Sequence, residues 1–134
     1  MPMITVRYVT PEPRPELPEQ VATLATRLAA DHLGKRPEVT AVVVELAAPG
    51  SWFVAGQNPT QLGLSAFWLT ITITAGTNVK AETAAFVRAA FDSMLELLGP
   101  VREESYVLVQ AVDGDAYGYG GRTQSARWAD AHLG

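Results

Sequence analysis

The segments "MITVRYVT" (residues 3–10) and "WLTITITA" (residues 68–75) share one alternation of apolar and polar residues. Residue 3 matches residue 68, an offset of 65 positions, and the same offset places "HLGKRPEVTAVVVEL" (residues 32–46) over "LLGPVREESYVLVQA" (residues 97–111). One offset that aligns two separate pairs of segments indicates an internal duplication. We therefore predict a tandem β-α-β repeat, with repeat one over about residues 2–57 and repeat two over about residues 67–121.

The first unit has the pattern strand, helix, strand. Its first strand is predicted from apolar residues at period two, which are Ile4, Val6 and Tyr8. Since proline is tolerated only in the first helical turn, the helix is predicted to begin between Pro15 and Pro18. Gly34 is predicted to end it. The β-branched run "VTAVVVEL" (residues 39–46) is predicted to be a strand buried on both faces.

The second unit repeats this order. "LTITIT" (residues 69–74) is predicted to be a strand, and Asn78 to cap the next helix. The apolar line of that helix is predicted to be Val87, Ala90, Phe91, Met94 and Leu98. "SYVLVQAV" (residues 105–112) is the fourth predicted strand. Since β-α-β crossovers are right-handed, the predicted fold class is α/β (α+β), a four-stranded sheet with two helices on one face.

The other face of this sheet is predicted to lack helices. Strands that are apolar on both sides cannot face water, so we expect the open face to bind other copies of the chain. The tail "YGYGGRTQSARW" (residues 117–128) has too many glycines for a helix and is predicted to be a flexible turn or small hairpin. Residues 122–134 would then form a C-terminal arm. Residues 1–134 are predicted to form one domain, because domains most often have about 100–150 residues.

Composition argues against several classes of protein. The chain has 10 Lys and Arg against 14 Asp and Glu, a net charge of −4 and no basic run, so nucleic acid is not an expected partner. With no cysteine and two histidines, neither a metal site nor any other cofactor is predicted. No leader and no apolar stretch of about 20 residues is evident. We therefore expect a soluble, cytoplasmic protein that does not bind membranes.

Pro2 follows the initiator methionine at the start of the first strand. A small residue in this place usually allows methionine removal, and the mature chain would then begin with a rigid secondary amine. Terminal amines have a pKa of about 7.7–8.0, which desolvation or a nearby cation lowers. A general base works best at a pKa near neutrality. Two alternatives stay open: in the first, Met-Pro signals processing alone, and in the second, a retained Met1 leaves an amide without basicity.

These features together resemble the tautomerase superfamily, typified by 4-oxalocrotonate tautomerase, whose β-α-β units begin with a catalytic proline. The resemblance rests on Pro2, on the duplication, and on the turns "WFVAGQ" (residues 52–57) and "YGYGG" (residues 117–121). The double length resembles the fused subgroup of cis-3-chloroacrylic acid dehalogenase and malonate semialdehyde decarboxylase. That resemblance implies a tautomerase/MIF-like fold, a homotrimer and a small-molecule substrate. Phe67 takes the place of Pro2 in repeat two, which implies one catalytic amine per chain.

The resemblance also implies further site residues. His32 matches a histidine near the end of the first helix that helps to hold a substrate carboxylate, although it would also stabilise the helix dipole. Tyr106 is the nearest match to a catalytic tyrosine on the fourth strand, with buried packing as the alternative. An aromatic pocket around the amine, or equally a set of subunit contacts, is expected from Trp52, Phe53, Trp68 and Tyr117.

One departure from these relatives concerns their substrate-gripping arginines after the third strand, where this chain has Thr74, Ala75 and Thr77. A neutral hydroxyl cannot replace a bidentate guanidinium. Any anion clamp must therefore come from Arg7, Arg14, Arg122 or Arg127. We predict a tautomerase that uses Pro2 as general base. The alternatives are hydratase, decarboxylase, dehalogenase or Michael-addition chemistry by the same amine, and a catalytically inactive trimeric protein.

Overall fold

A computed structural model describes residues 1–133 of the 134-residue chain. Its main sheet contains β1 (Met3–Val9), β2 (Ala41–Leu46), β3 (Ala66–Thr74) and β4 (Tyr106–Val112). The strand order is β2-β1-β3-β4. β1 and β2 are parallel, β3 and β4 are parallel, and the two units meet through the antiparallel pair β1 and β3. The predicted sheet of two β-α-β units is confirmed.

Both long helices pack on one face of the sheet. α1 (Leu17–Leu33) begins within the predicted window and ends before Gly34, whose φ of 68° is in the left-handed region. α2 (Lys80–Leu98) is the second crossover helix. The core between helices and sheet includes the fully buried side chains Ile4, Val6, Tyr8, Leu17, Val21, Leu69, Ile71, Phe86 and Met94. Within residues 1–133, no helix is long and apolar enough to cross a membrane.

The second helix differs from its prediction in two details. Phe86 is fully buried whereas Val87 is 37% exposed, so the buried line begins one residue earlier than predicted. The N-cap is Val79 and not Asn78. The Glu82 carboxylate accepts the Val79 N–H at 2.9 Å, and the Asn78 amide instead donates to the Leu33 carbonyl at 2.9 Å. Asn78 therefore ties the start of α2 to the end of α1.

The second strand is shorter and less buried than predicted. Residues Pro37–Val39 form a 3-10 turn, so β2 begins only at Ala41. Val42 and Val44 pack against the core, but Val43 on the opposite face is 43% exposed. The prediction of burial on both faces is wrong within a single chain, because helices cover only one side of the sheet.

The tail contains more structure than predicted. β5 (Gly118–Tyr119) and β6 (Arg122–Thr123) form the predicted small hairpin, but a helix, α3 (Gln124–His132), follows it. The prediction without a helix was wrong because the tail's glycines at 118, 120 and 121 all precede α3. Thr123 caps α3, since its hydroxyl accepts the Ala126 N–H at 3.0 Å.

The face of the sheet opposite α1 and α2 is open. Side chains of β1 and β3 alternate, so each strand buries one set of residues and exposes the other. Five large apolar side chains are at least 40% exposed on this face, and they are Met3, Val43, Trp68, Tyr106 and Leu108. The predicted open face is therefore present in the single chain.

Candidate active site

Pro2 lies immediately before β1, which is an interior strand of the sheet. It is buried, and its carbonyl accepts the Ala41 N–H at 3.3 Å, which ties the start of β1 to β2. Pro2 lines a cavity of about 460 Å³ together with Thr40, Tyr117, Tyr119 and Gln124. A residue held by an interior strand is a rigid support for a reacting group.

A second cavity of about 690 Å³ adjoins the first. The end of β3 contributes Thr74, α3 contributes Trp128, and three guanidinium groups come from Arg36, Arg122 and Arg127. Met1, Tyr119 and Gln124 line both cavities. Met1 therefore lies where the two cavities meet.

The amino end lies in an environment that disfavours a positive charge. Burial lowers the pKa of the Met1 amine from its usual 8.0, and the Lys35 cation lowers it further. Burial also lowers the pKa of Lys35, whereas Glu82 raises it. The Lys35 ammonium donates to the Thr77 hydroxyl at 3.0 Å. Burial and like charge together favour a neutral amine at this end of the sheet.

Lys35 and Arg36 were not among the site residues predicted from sequence. The connection from α1 to β2 returns the chain to the start of β1, because the two strands are parallel. Residues that follow the helix-ending Gly34 therefore belong at the Pro2 end. This topological signal was available in the predicted β-α-β pattern.

The Pro2 end also holds several of the predicted residues. Tyr117 lines the Pro2 cavity, and its hydroxyl lies 2.8 Å from the Thr74 hydroxyl. Arg122 and Arg127 line the adjoining cavity. His32 lies half-buried in the last turn of α1 at the same end, but it lines neither cavity.

Three other predicted residues lie on the open face, outside both cavities. In the sheet register Arg7 pairs with Trp68, and Trp68 pairs with Tyr106. The Trp68 and Tyr106 rings are 5.6 Å apart, and the Arg7 guanidinium forms an ion pair with Glu45 at 3.1 Å. Arg7 is four residues along β1 from Met3, which corresponds to about 13 Å at roughly 3.3 Å per residue. Within one chain these three residues therefore lie away from Pro2.

The remaining predicted residues follow strands that end far from Pro2. Trp52 and Phe53 come after β2, whose last residue pairs with Tyr8 near the far end of β1. Trp52 is half-buried and Phe53 is 62% exposed. Arg14 pairs with Glu16 at 3.3 Å and lines a groove between α1 and α2. None of these three residues lines the Pro2 cavity.

The arrangement at the Pro2 end suits proton transfer on an anionic molecule. Three arginines and Asp130 line the larger cavity, Glu38 lines the Pro2 cavity, and the Lys35 cation acts on the Met1 amine, in a chain whose net charge is −4. Thr74 and Thr77 occupy two of the positions where related enzymes were expected to carry arginines, and both line the same cavity as Arg36, Arg122 and Arg127. Local positive charge attracts anions and polarises a bound carbonyl or carboxylate.

Comparison with known proteins identifies the architecture. By sequence, the chain matches no protein-family model and no curated protein. By structure, a fused 4-OT that forms a symmetric trimer superimposes with a TM-score of 0.80 at 15% identity, covering 93% of this chain and 98% of that chain. Pt0534, a protein inactivated by 2-oxo-3-pentynoate, superimposes with a TM-score of 0.81 at 16% identity, with the same coverage. A macrophage migration inhibitory factor-like protein from Entamoeba histolytica gives 0.74 at 13%, covering 91% and 97%.

These similarities cover nearly the whole chain, and they confirm the fold that the sequence predicted. The chain has the tautomerase/MIF-like fold, in the double-length form seen in the fused 4-OT proteins. Because the sequence identities are only 13–16%, the similarity to these three proteins establishes the fold alone.

Proposed function

We propose that this chain is a tautomerase-type isomerase in which Pro2, freed from Met1, moves a proton between carbon and oxygen of a keto/enol substrate. One observation carries the proposal. Pro2 is buried at the start of an interior strand, lines a cavity, and lies beside the residue whose amine has a lowered pKa. Removal of Met1 would make the nitrogen of Pro2 the terminal amine.

The electrostatics support a neutral amine at physiological pH. Burial and Lys35 lower the pKa of the Met1 amine, and Pro2 is more buried than Met1. The same two causes would lower the pKa of the Pro2 amine in the processed chain. A neutral secondary amine can accept a proton from carbon and return it to oxygen, and a positioned base contributes about 10²–10⁴-fold in rate.

Tyr117 is the proposed hydrogen-bond donor to the developing enolate. Tyr117 lines the same cavity as Pro2. Its hydroxyl lies 2.8 Å from the Thr74 hydroxyl, and this hydrogen bond orients it. A donor placed at a developing oxyanion stabilises the transition state more than the ground state. Lys35 would attract the carboxylate of the same substrate. A substrate contact for His32, at the end of α1, is a further proposal.

Assembly as a homotrimer is part of this proposal. The open sheet face exposes large apolar side chains, including Trp68 and Tyr106, and such a patch favours a partner. Some fused 4-OT proteins of this fold are trimers. In a trimer, Arg7, Trp68 and Tyr106 would reach a Pro2 site only from a neighbouring subunit, as would Arg14, Trp52 and Phe53. Light scattering should give a mass of three 14.4-kDa chains, whereas a monomer would contradict the assembly.

A second candidate function uses the amine as a nucleophile. The neighbour Pt0534 was inactivated by 2-oxo-3-pentynoate, whose alkyne is conjugated to a ketone. We propose that the Pro2 nitrogen adds to the same compound: an N–C bond forms at the distal alkyne carbon, and the adjacent carbon takes up the proton that nitrogen loses. The adduct should carry the whole inhibitor mass on the peptide that begins with Pro2. Labelling elsewhere, or none, would contradict a reactive amine.

The direct test compares Pro2→Ala with Pro100→Ala, because Pro100 is an exposed proline at the opposite end of the sheet. Intact mass first shows whether each chain lacks Met1. Ketonisation of phenylenolpyruvate and 2-hydroxymuconate is then followed by absorbance. We expect Pro2→Ala to lower kcat/KM by about 10²–10⁴-fold and Pro100→Ala to leave it unchanged. Equal turnover by the wild-type and Pro2→Ala proteins would remove Pro2 from the mechanism.

A further inference from the structure

The larger cavity, which we call the α3 cavity, is not required for the proposed reaction. It lies between α3, the β5–β6 hairpin and the end of β3, and Pro2 does not line it. Its volume is about 690 Å³, and pockets of about 300–1,000 Å³ hold drug-sized ligands. The Pro2 cavity, at about 460 Å³, already falls in that range and would hold a small keto acid. The α3 cavity therefore offers room for a further part of a ligand.

The charge of the α3 cavity favours an anion. Its lining includes three arginines, Arg36, Arg122 and Arg127, against one lining acid, Asp130. Arg36 is paired with Glu38 at 2.7 Å, so the anion is expected at Arg122 and Arg127. Arg122 forms an ion pair with Asp130, and its side chain remains 45% exposed. A guanidinium has five N–H donors, so an ion pair with one carboxylate leaves N–H groups that can bind a second carboxylate. A carboxylate on the ligand is the group that such a fork binds best.

Arg127 has a different function in the same wall. Its Nη2 and Nε donate to the Tyr119 carbonyl at 3.0 and 3.3 Å, and its guanidinium lies 3.8 Å from the centre of the Tyr119 ring. These contacts fasten the hairpin to α3. Gly120 at the hairpin tip allows the approach, because a Cβ there would lie 2.6 Å from Arg127 Nη2. The wall of the α3 cavity is thus held in place by the residue that also adds positive charge.

A flat aromatic surface completes the α3 cavity. Trp128 lines the cavity and is 56% exposed, which leaves much of its indole accessible to a ligand. The His132 ring stacks on it with centroids 4.4 Å apart and an angle of 13° between the planes. The His132 Nδ1 lies 2.8 Å from the Trp128 carbonyl, which fixes the stack. An ordered, exposed indole suits a planar apolar group.

The two cavities are joined at the amino end. Met1, Tyr119 and Gln124 line both of them. Removal of Met1 would therefore expose the Pro2 nitrogen and take away a side chain that stands between the two cavities. One ligand could then occupy both.

We infer that the α3 cavity binds the non-reacting end of an elongated acid, with a planar apolar body against Trp128 and a remote carboxylate at Arg122. The inference rests on the proposed function for the reaction at the other end of the same molecule. It assigns the substrate to a class larger than the small keto acids. Trp128 and Arg122 would select the substrate by its non-reacting end, and they would take no part in the proton transfer.

Binding of an unreactive probe tests the α3 cavity separately from catalysis. Calorimetry measures the Kd of naphthalene-2-carboxylate for the processed full-length protein and for Pro2→Ala. We expect Trp128→Ala and Arg122→Gln each to weaken binding at least tenfold, because the first removes the aromatic surface under the naphthalene rings and the second removes the charged partner of the carboxylate. Asp130→Asn should strengthen binding a few-fold because it releases Arg122. Arg88→Gln on α2, an exposed arginine paired with Asp92, is the matched control and should change nothing.

A pair of substrates supplies the second readout. The ratio of kcat/KM for a naphthyl enolpyruvate to that for phenylenolpyruvate should fall about tenfold in Trp128→Ala, with the smaller substrate little affected. Binding that is absent, or that is equal in wild type, Trp128→Ala and Arg122→Gln, overturns the inference whether or not the protein is an enzyme. If the Trp128 and Arg122 substitutions weaken binding but the protein turns over no enol, the proposed function is overturned. The α3 cavity then remains a binding site.

Discussion

The two ends of the sheet carry equivalent positions with opposite environments. The duplication matches residue 2 to residue 67, and the antiparallel pairing of β1 with β3 places them at opposite ends. Pro2 lines a cavity, whereas Phe67 is fully buried with its ring 5.9 Å from Phe91. The Phe67 N–H donates to the Ser105 hydroxyl at 3.2 Å. The Pro2 end of the scaffold adjoins a cavity, and the Phe67 end is part of the core.

The polar groups at the two ends show the same contrast. At the Phe67 end the buried Ser65 hydroxyl lies 3.0 Å from the Thr10 hydroxyl and 3.3 Å from the Leu98 carbonyl. These hydroxyl groups are satisfied inside the protein, as most buried polar groups are. At the Pro2 end, Tyr117 and Lys35 lie beside cavities that a ligand can enter. A substitution should therefore change stability at one end and activity at the other.

The largest expected change in stability follows from Phe67→Ala. Removing a fully buried phenylalanine ring leaves a cavity and should lower the free energy of unfolding by about 3–5 kcal/mol. Chemical denaturation measures this change, with Phe53→Ala as control because Phe53 is 62% exposed. The control should shift stability by no more than about 0.5 kcal/mol. Equal effects of the two substitutions would show that the Phe67 end is not closed.

Ser105→Ala tests the hydrogen bond that holds the Phe67 nitrogen. Ser105 is 7% exposed, so losing its hydroxyl would leave a buried N–H without an acceptor. The expected loss of unfolding free energy is about 1–3 kcal/mol. Ser51→Ala removes an exposed hydroxyl that donates to the Ala48 carbonyl, and it should have a smaller effect. If Ser105→Ala is as stable as the wild type, the Phe67 N–H does not need this buried acceptor. The contrast between the Phe67 nitrogen and the Pro2 nitrogen would then be weaker.

The smallest expected effect is a shift in pH dependence from Lys35→Met. Lys35 lowers the pKa of the Met1 amine, and the same cation would lower the pKa of a terminal Pro2 amine, so its loss should raise that pKa. Because the base acts only when unprotonated, the acidic limb of kcat/KM should then move to higher pH. Lys80→Met is the charge-matched control, since Lys80 is exposed at the start of α2. Identical pH profiles for both variants would separate Lys35 from the amine.

Much of the fold could be predicted because nearby residues decide where each helix and strand begins and ends. Gly34 ends α1 as predicted, and the proline run places its start. α3 could not be predicted from glycine content, which describes the hairpin and not the residues that follow Thr123. Phe86 was missed because Phe86 and Val87 are adjacent and both apolar, and only contact with the sheet distinguishes them.

The candidate site was predicted less completely, and the direction of the units explains why. Tyr117, Arg122 and Arg127 were predicted and lie at the Pro2 end. Trp68 and Tyr106 lie on the open face toward the Phe67 end. An internal repeat shows what each unit contains, but it does not show that β1 and β3 are antiparallel. That pairing decides which loops surround Pro2.

The proposed reaction depends on a free, weakly basic nitrogen at Pro2. The Pro2 nitrogen can be observed directly by an NMR titration of protein in which only proline carries an NMR-active nitrogen isotope. Every other proline nitrogen is an amide and does not titrate. We predict that one proline nitrogen titrates, with a pKa below the roughly 7.7–8.0 of an ordinary terminal amine. If no proline nitrogen titrates, or if the one that does has a pKa above that range, the proposed base does not exist in this protein.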